Sequence, residues 1–348
     1  MTRIVSCPSP FDYHTPCVPN SLGISNMVLD ITNPPSCSRD HRQVVWDERF
    51  AADVRHKVHL WFREDFGLES DWTSTALVPA DAKSSLAIVV RMDGVIAGLP
   101  AAEVVINEFQ ENLIWSSVTC DGDRVQAGDV IGHLSGSVRS ILQIERVILN
   151  LLGRLSGIAT TTRNFVDAIQ GTSCRIYDTR KTVPGWRLLD KYAVHCGGGY
   201  NHRMGLYDAI LIKDNHLAAL CEDGVSPKDA VHKSREFISK TFPADRANEM
   251  VVEIEVDSLG QLANVLPAMP DIVLLDNMSL DELRQSVVLR NEISPEVVLE
   301  ASGGVTLKNI SPIAKCGVDR ISTGAPIHTS SWLDIALDWG SFSCSEQG

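Results

Sequence analysis

The sequence predicts an α/β protein, an open or incomplete β/α barrel preceded by a smaller α+β domain. Three observations predict it. After Gly171, apolar runs of roughly five residues alternate with helical segments, the pattern of buried parallel strands and their crossovers. Before that rhythm, positions 77–138 hold short β runs separated by glycine turns. Between the two, positions 140–169 carry one unbroken helical pattern.

In chain order, residues 1–40 are rich in Pro, Ser and Asn and lack the apolar run of a secretory signal. They are read as a disordered extension, with a start placed ahead of Met27 as the alternative. The smaller domain is expected over 41–139. It opens on a helix at 44–66, where Trp46, Phe50, Val54, Val58 and Trp61 fall near helical spacing. Runs at 86–90, 102–108 and 113–119 read as strands. The stretch 121–136, with turn glycines between β-branched residues, resembles the hammerhead half of biotinyl and lipoyl carrier domains. No lysine stands in its hairpin to carry a cofactor, so a carrier role lacks its reactive group.

The linking helix, 140–170, has Ile144, Val147, Ile148, Leu151, Leu152 and Leu155 as its apolar stripe. Arg146, Asn150 and Arg154 recur every four residues on another face, a spacing that a solvated surface also explains. The barrel is expected over 171–340, with part of the chain returning to the smaller domain near the C-terminus. Its candidate strands are 174–178, 209–213, 251–256, 272–276, 297–301 and 320–322. Helices at 259–265, 280–289 and 307–316 separate the later ones, and the charged stretch 222–248 reads as a surface loop.

Composition narrows the function classes. A formal charge of −13 argues against attraction of the whole surface to nucleic acid or anionic lipid. No run approaches the roughly 18 uncharged apolar residues of a spanning helix. The nine cysteines are odd in number, scattered and without a C-x-x-C pair, which fits a reducing, cytoplasmic setting. Positions 140–216 nonetheless hold ten Lys or Arg against six Asp or Glu, a net of +4, so the remainder carries −17. A basic segment inside an acidic chain is where a small polyanion would bind, although pairing with acidic faces elsewhere explains it as well.

The ends of the predicted strands carry the chemistry. In order they are Asp178, Lys213, Glu255, Asp276, Ser302 and Thr323, at the barrel edge where active sites are built. Adjacent Arg180 and Lys181 repel each other unless an anion lies between them. Arginine matches a carboxylate with a planar fork, and lysine suits phosphate as a point charge. His202 and Arg203 follow the run Gly197-Gly198-Gly199. Glu255 and Asp276 offer carboxylates for ribose hydroxyls or Mg²⁺. Ser302-Gly303-Gly304 and Thr323-Gly324-Ala325 are glycine turns at late strand ends, each opening a helix, as barrel phosphate sites do.

These residues resemble the quinolinate phosphoribosyltransferase family over about residues 60–340. The matching motifs include Glu145-Arg146 with Asn150, the Asp178-Thr179-Arg180-Lys181-Thr182 block and Gly197-Gly198-Gly199 with Asn201-His202-Arg203. Further matches are Leu211-Ile212-Lys213-Asp214-Asn215-His216, Glu253-Ile254-Glu255-Val256, Leu274-Leu275-Asp276-Asn277, Glu300-Ala301-Ser302-Gly303-Gly304 and Asp319-Arg320-Ile321-Ser322. The resemblance implies transfer of phosphoribose from phosphoribosyl pyrophosphate (PRPP) to quinolinate with Mg²⁺ as cofactor, then decarboxylation to nicotinate mononucleotide in NAD biosynthesis. It implies that Thr179, Arg180, His202, Arg203 and Lys213 hold the two quinolinate carboxylates. Arg146 would reach the same pocket from the second subunit of a homodimer, which could assemble further. Lys181 would meet pyrophosphate, Glu255 and Asp276 the ribose hydroxyls and Mg²⁺, and Ser302, Gly303, Gly304, Gly324 and His328 phosphate.

Two departures stand out. Ser70-Asp71-Trp72-Thr73 replaces the family's Gly-Asp-(Ile/Val)-Thr turn, and Gly324-Ala325-Pro326-Ile327-His328-Thr329 its Gly-Ala-Leu-Thr-His. Pro326 lacks an N–H, so a differently shaped phosphate loop is expected there. The rival readings are a paralogue with another acceptor, a Schiff-base lyase using Lys213, and a non-catalytic carrier or scaffold.

Overall fold

The computed structural model describes residues 40–109, 112–220 and 225–339, all within one compact unit. The expectation of disorder before residue 40 lies outside them. α1 (Glu48–Phe66) starts where the Asp47 carboxylate accepts from Phe50 N–H, and it buries Phe50, Ala51, Val54 and Val58. α2 (Trp72–Leu77) is capped by Asp71 in the same way. β1 (Lys83–Val90) and β2 (Gly94–Val95) lead into α3 (Leu99–Glu108).

α3 corrects the strand expected at 102–108. An apolar run this short has no decisive period, because a buried helix is hydrophobic on most faces. Leu99, Ala101, Ala102, Val104, Val105 and Ile106 are all buried. Pro100 sits in the first turn, where its missing N–H costs nothing.

β3 (Ile114–Ser117), β4 (Arg124–Val125) and β5 (Val130–Ser137) follow. An antiparallel sheet runs β1–β5–β3 and gains a fourth strand, β12 (Ile335–Asp338), against β1, while β2 pairs with β4. α4 (Val138–Ala168) buries Ile144, Ile148, Leu151, Leu152 and Leu155 against this half of the molecule.

The second half alternates: β6 (Arg175–Tyr177), α5 (Arg187–Cys196), β7 (Ile210–Ile212), α6 (Asp214–Leu220), α7 (Pro227–Thr241) and α8 (Ala244–Glu249). Then come β8 (Val252–Val256), α9 (Leu259–Val265), β9 (Ile272–Asp276), α10 (Leu280–Ile293), β10 (Val298–Ser302), α11 (Ile310–Ala314), β11 (Arg320–Ser322) and α12 (Ala325–His328). α7 and α8 replace the surface loop expected at 222–248. The charge there lies on helix faces, and Ser226 and Asp229 form a reciprocal cap that starts α7.

Six parallel strands are ordered β6–β11–β10–β9–β8–β7. Among the described residues β6 and β7 do not pair, so the barrel is open there; beside β6 lies a bridge from Tyr177 to Tyr200. Val252, Ile254, Val273, Leu275, Leu299 and Ile321 fill a second core between this sheet and its helices, against Val231, Ile238, Leu262 and Leu283. No described helix is long and apolar enough to cross a membrane.

Candidate active site

Five of the six predicted strand ends, Lys213, Glu255, Asp276, Ser302 and Thr323, line one cavity of about 760 Å³. Thr179, Arg180, Lys181, His202, Arg203, Gly303, Gly304, Gly324 and His328 line it too. The sixth strand end is a correction. Asp178 is fully buried, where its Oδ1 accepts from Lys191 Nζ and, at 2.8 Å, from His202 N–H. Its Oδ2 accepts from Asn201 Nδ2 at 2.8 Å. Asp178 therefore ties the end of β6 to α5 and the 201–203 segment from beneath the cavity.

The cations are concentrated on one side. Arg203 is buried and makes one long bond, to Ala209 O at 3.4 Å; Arg180 Nε is a buried donor without a partner. Burial, then the charge of Arg180, lowers the Arg203 pKa. Among the described residues neither arginine has a carboxylate within ion-pair distance. A buried guanidinium and a half-buried one that repel each other and have no carboxylate at ion-pair distance among the described residues form a receptor for an anion. Lys213, by contrast, pairs with Glu255 at 2.5 Å and is 42% exposed. A solvated, paired ammonium is a poor Schiff-base nucleophile, so the lyase reading loses its lysine.

Backbone conformation shapes the glycine turns that line the same cavity. Gly303 has φ of +98°, and a Cβ there would lie 2.2 Å from Asn277 Oδ1. Asn277 takes a positive φ of 55°; its N–H donates to Ser302 O and its Nδ2 to Asp276 Oδ2. A Cβ at Gly324 would meet His328 Nε2 at 2.8 Å and Thr179 Oγ1 at 3.2 Å, so a side chain there would displace the His328 ring. Pro326 falls in the first turn of α12, where no helical bond needs its N–H. The loop that departs from the family pattern still brings Gly324 and His328 into the cavity.

Sequence reasoning assigned no role to the charges inside the strands. Glu253, Glu300 and Arg320 are all buried. Arg320 Nε donates to Glu300 Oε2 at 2.5 Å, and its Nη1 donates to Asp40 Oδ1 at 2.8 Å. His202 Nε2 lies 3.1 Å from Glu253 Oε2 and 3.5 Å from Glu300 Oε1. Burial alone would depress His202, but these carboxylates outweigh it and raise it to about 9. The hydrogen bonding opposes that second proton. Arg203 N–H donates to His202 Nδ1 at 2.8 Å, and a proton on Nδ1 would break the bond. The neutral ring is thus the Nε2–H tautomer, donating toward the carboxylates.

This tautomer also bears on metal binding. Ligand atoms of His41, His202 and Glu253 lie within 4.8 Å of one another. A metal-bound imidazole donates its other N–H, whereas the second nitrogen of His202 accepts. The trio is held by a ring contact between the two histidines and by the approach of His202 Nε2 to Glu253. Its signal in the sequence was the presence of Glu253, Glu300 and Arg320 within apolar strands.

Arg146 lies elsewhere. It projects from α4 with its side chain 64% exposed, 3.8 Å from Glu145, and does not line this cavity.

Comparison with known proteins follows the same division of the chain. Residues 71–156 match the family Quinolinate phosphoribosyl transferase, N-terminal domain, and residues 158–338 match its C-terminal domain. The nicotinate-nucleotide pyrophosphorylase [carboxylating] of Mycobacterium leprae is 41% identical over 288 residues, covering 82% of this chain and 96% of its own. The probable enzyme of the same name from Synechocystis is 38% identical, covering 80% and 90%. A solved nicotinate-nucleotide pyrophosphorylase from Francisella tularensis superposes with a TM-score of 0.76 at 36% identity, covering 86% of this chain and 99% of its own.

Proposed function

We infer the reaction from one premise: the chain belongs to the quinolinate phosphoribosyltransferase family. It is a carboxylating nicotinate-nucleotide pyrophosphorylase, a phosphoribosyltransferase of NAD biosynthesis. The observation that carries the reading to particular residues is the couple Arg180 and Arg203, which have no carboxylate within ion-pair distance among the described residues and share one cavity with the glycine turns at Gly303 and Gly324.

The two quinolinate carboxylates fit the cationic side, against Arg180, Arg203, His202, Lys213 and Thr179. PRPP fits the other side, with its 5′-phosphate against Ser302, Gly303, Gly304, Gly324 and His328. Lys181, exposed at the loop tip, meets the pyrophosphate. Its N–H donates to Thr179 Oγ1 at 3.0 Å, which fixes the backbone and leaves the side chain free to reach ligand. Glu255 and Asp276 take the ribose hydroxyls.

Those two carboxylates are hard oxygen donors beside the space for pyrophosphate, and they fit Mg²⁺, which favours few protein carboxylates plus phosphate oxygens and water. Bound there, Mg²⁺ would neutralise pyrophosphate charge. As the C1′–O bond breaks, positive charge grows on the ribose, and Glu255 and Asp276 stabilise it. The quinolinate nitrogen forms the new C1′–N bond and pyrophosphate departs toward Lys181. The pyridinium nitrogen then stabilises the electron pair that carbon dioxide leaves at C2, and a proton from water takes up that pair to give nicotinate mononucleotide.

The active assembly is a cytoplasmic homodimer in which the partner's copy of Arg146 completes the anion site. Its exposure here, with no strong partner, supports that role. Two experiments test the reading. Purified protein with quinolinate, PRPP and Mg²⁺ should yield nicotinate mononucleotide by chromatography, and nicotinate as acceptor should yield none. Mixing inactive Arg146→Ala and Lys213→Ala subunits should restore partial activity through hybrid dimers. Exchange of subunits without activity would refute the shared site.

A further inference from the structure

The residues just before α1 contact the active-site loop directly. Gln43 brackets Asn201, with its Oε1 accepting from Asn201 N–H at 2.8 Å and its Nε2 donating to Asn201 O at 3.3 Å. Val44 N–H donates to Asn201 Oδ1 at 2.8 Å. Asp40 accepts from the Tyr177 hydroxyl at 2.6 Å and from Arg320. Between them His41, 5% exposed, stacks its ring on that of His202, with centroids 4.2 Å apart and planes inclined by 31°. Asp40, His41, Gln43 and Val44 form a strap that precedes the segments matching the family, 71–156 and 158–338.

These contacts have a direction. The strap holds Tyr177 at the end of β6, Asn201 and His202, the elements beside the open edge of the barrel. Among the described residues, no hydrogen bond, ion pair or ring contact of the strap reaches Lys181, Glu255, Asp276 or Gly303. An unpaired edge needs a cover, yet a simple cover would not place an imidazole against a cavity-lining imidazole. His41 Nε2 has no hydrogen-bond partner and stands 3.5 Å from Glu253 Oε2, the carboxylate that also faces His202.

We propose that His41 is a positioning residue for the acceptor half of the site: its ring wedges His202 against Glu253 and thereby sets, through the bond from Arg203 N–H to His202 Nδ1, where Arg203 meets the quinolinate carboxylates. The ring contact carries this role, because the approach to Glu253 is longer than a hydrogen bond. Misplacing a binding group by a fraction of an ångström is enough to weaken a site built on fixed geometry. The proposal rests on the assignment of His202 and Arg203 to the acceptor.

Steady-state kinetics of the full chain test it. His41→Ala should raise the quinolinate KM by about ten-fold or more while the PRPP KM stays within about two-fold. His41→Phe, which keeps a flat ring without Nε2, should hold the quinolinate KM within about three-fold of wild type. Should His41→Ala fail to fold, His41→Leu replaces it with the same expectation, since it fills the volume without a stacking face. An unchanged quinolinate KM in a folded variant, or equal rises in both KM values, overturns the proposal. His202→Ala separates the two layers. If it raises the quinolinate KM and His41→Ala does not, the strap is merely structural. If it leaves that KM unchanged, the acceptor assignment itself fails and the proposal falls with it.

Discussion

Replacing Lys191 by Met tests what holds the active-site loops in place. Lys191 is wholly buried, and its ammonium donates to Asp178 Oδ1 and, at 2.7 Å, to His202 O. Burial pulls the lysine down and the aspartate up, each toward neutrality, against their mutual attraction. Methionine fills nearly the same volume, so little cavity is created and the cost is electrostatic. The substitution leaves a buried carboxylate supported only by Asn201 and the His202 N–H, and a broken buried pair costs about 3–5 kcal/mol. Asp178→Asn should cost a similar amount by stranding the ammonium. The double variant buries no charge but leaves His202 O without its donor and turns the new amide nitrogen toward one of the donors on Asn201 or His202, at about 1–3 kcal/mol for each unsatisfied group. Urea unfolding of all four proteins with common slopes measures this as a coupling of several kcal/mol. The acceptor KM should follow the same order, because this pair holds both polar groups of the His202 backbone. A double variant as unstable as the two singles combined would refute the argument. The loops would then owe their position to packing rather than to compensated charge.

Three further outcomes are expected. Lys181→Ala should lose about a hundred-fold or more in kcat with an unchanged unfolding midpoint, because its side chain is exposed to ligand rather than packed; an unfolded product or a near-normal rate counts against its role. Gly303→Ala forces a side chain into φ of +98° against Asn277 Oδ1, at about 1–2 kcal/mol for the backbone alone. It should raise the PRPP KM and spare that for quinolinate, and equal effects on both would dissociate the turn from phosphate. For Glu300, burial pushes the pKa up, but Arg320 outweighs it and holds the carboxylate below its ordinary 4.5. A depressed carboxylate stabilises the fold above its unfolded pKa, and that contribution disappears as pH falls through the folded value. Between about pH 5 and pH 3 the melting temperature of wild type should therefore fall more steeply than that of Glu300→Gln. Parallel slopes would show that the pair contributes nothing.

Patterns with a strong local cause were legible in the sequence. Strand runs bounded by polar ends marked the parallel sheet, and 272–276 and 320–322 agree with β9 and β11 to the residue. The helix at 44–66 announced itself by an apolar stripe of helical period, beginning within a few residues of α1. Cavity-lining residues were legible because cations and glycines at strand ends have few other reasons to be there. Elements failed where the local signal was ambiguous. The run at 102–108 is apolar at most positions, which a buried helix and a buried strand share. The region 222–248 was judged by its charge, although Ser226 and Asp229 spelled a helix cap.

By itself, then, the sequence determined the fold class, the family and, Arg146 apart, the candidate residues that share one cavity. Tertiary structure alone decided which strand end faces the cavity and which lies beneath it. Asp178 and Glu255 are both carboxylates near the ends of apolar strands, yet only the first is enclosed by a lysine and an asparagine from distant positions. It likewise decided that His41, more than 150 residues from His202 in the chain, lies ring to ring with it. Burial and charge compensation are properties of neighbours in space, and no spacing along the chain encodes them.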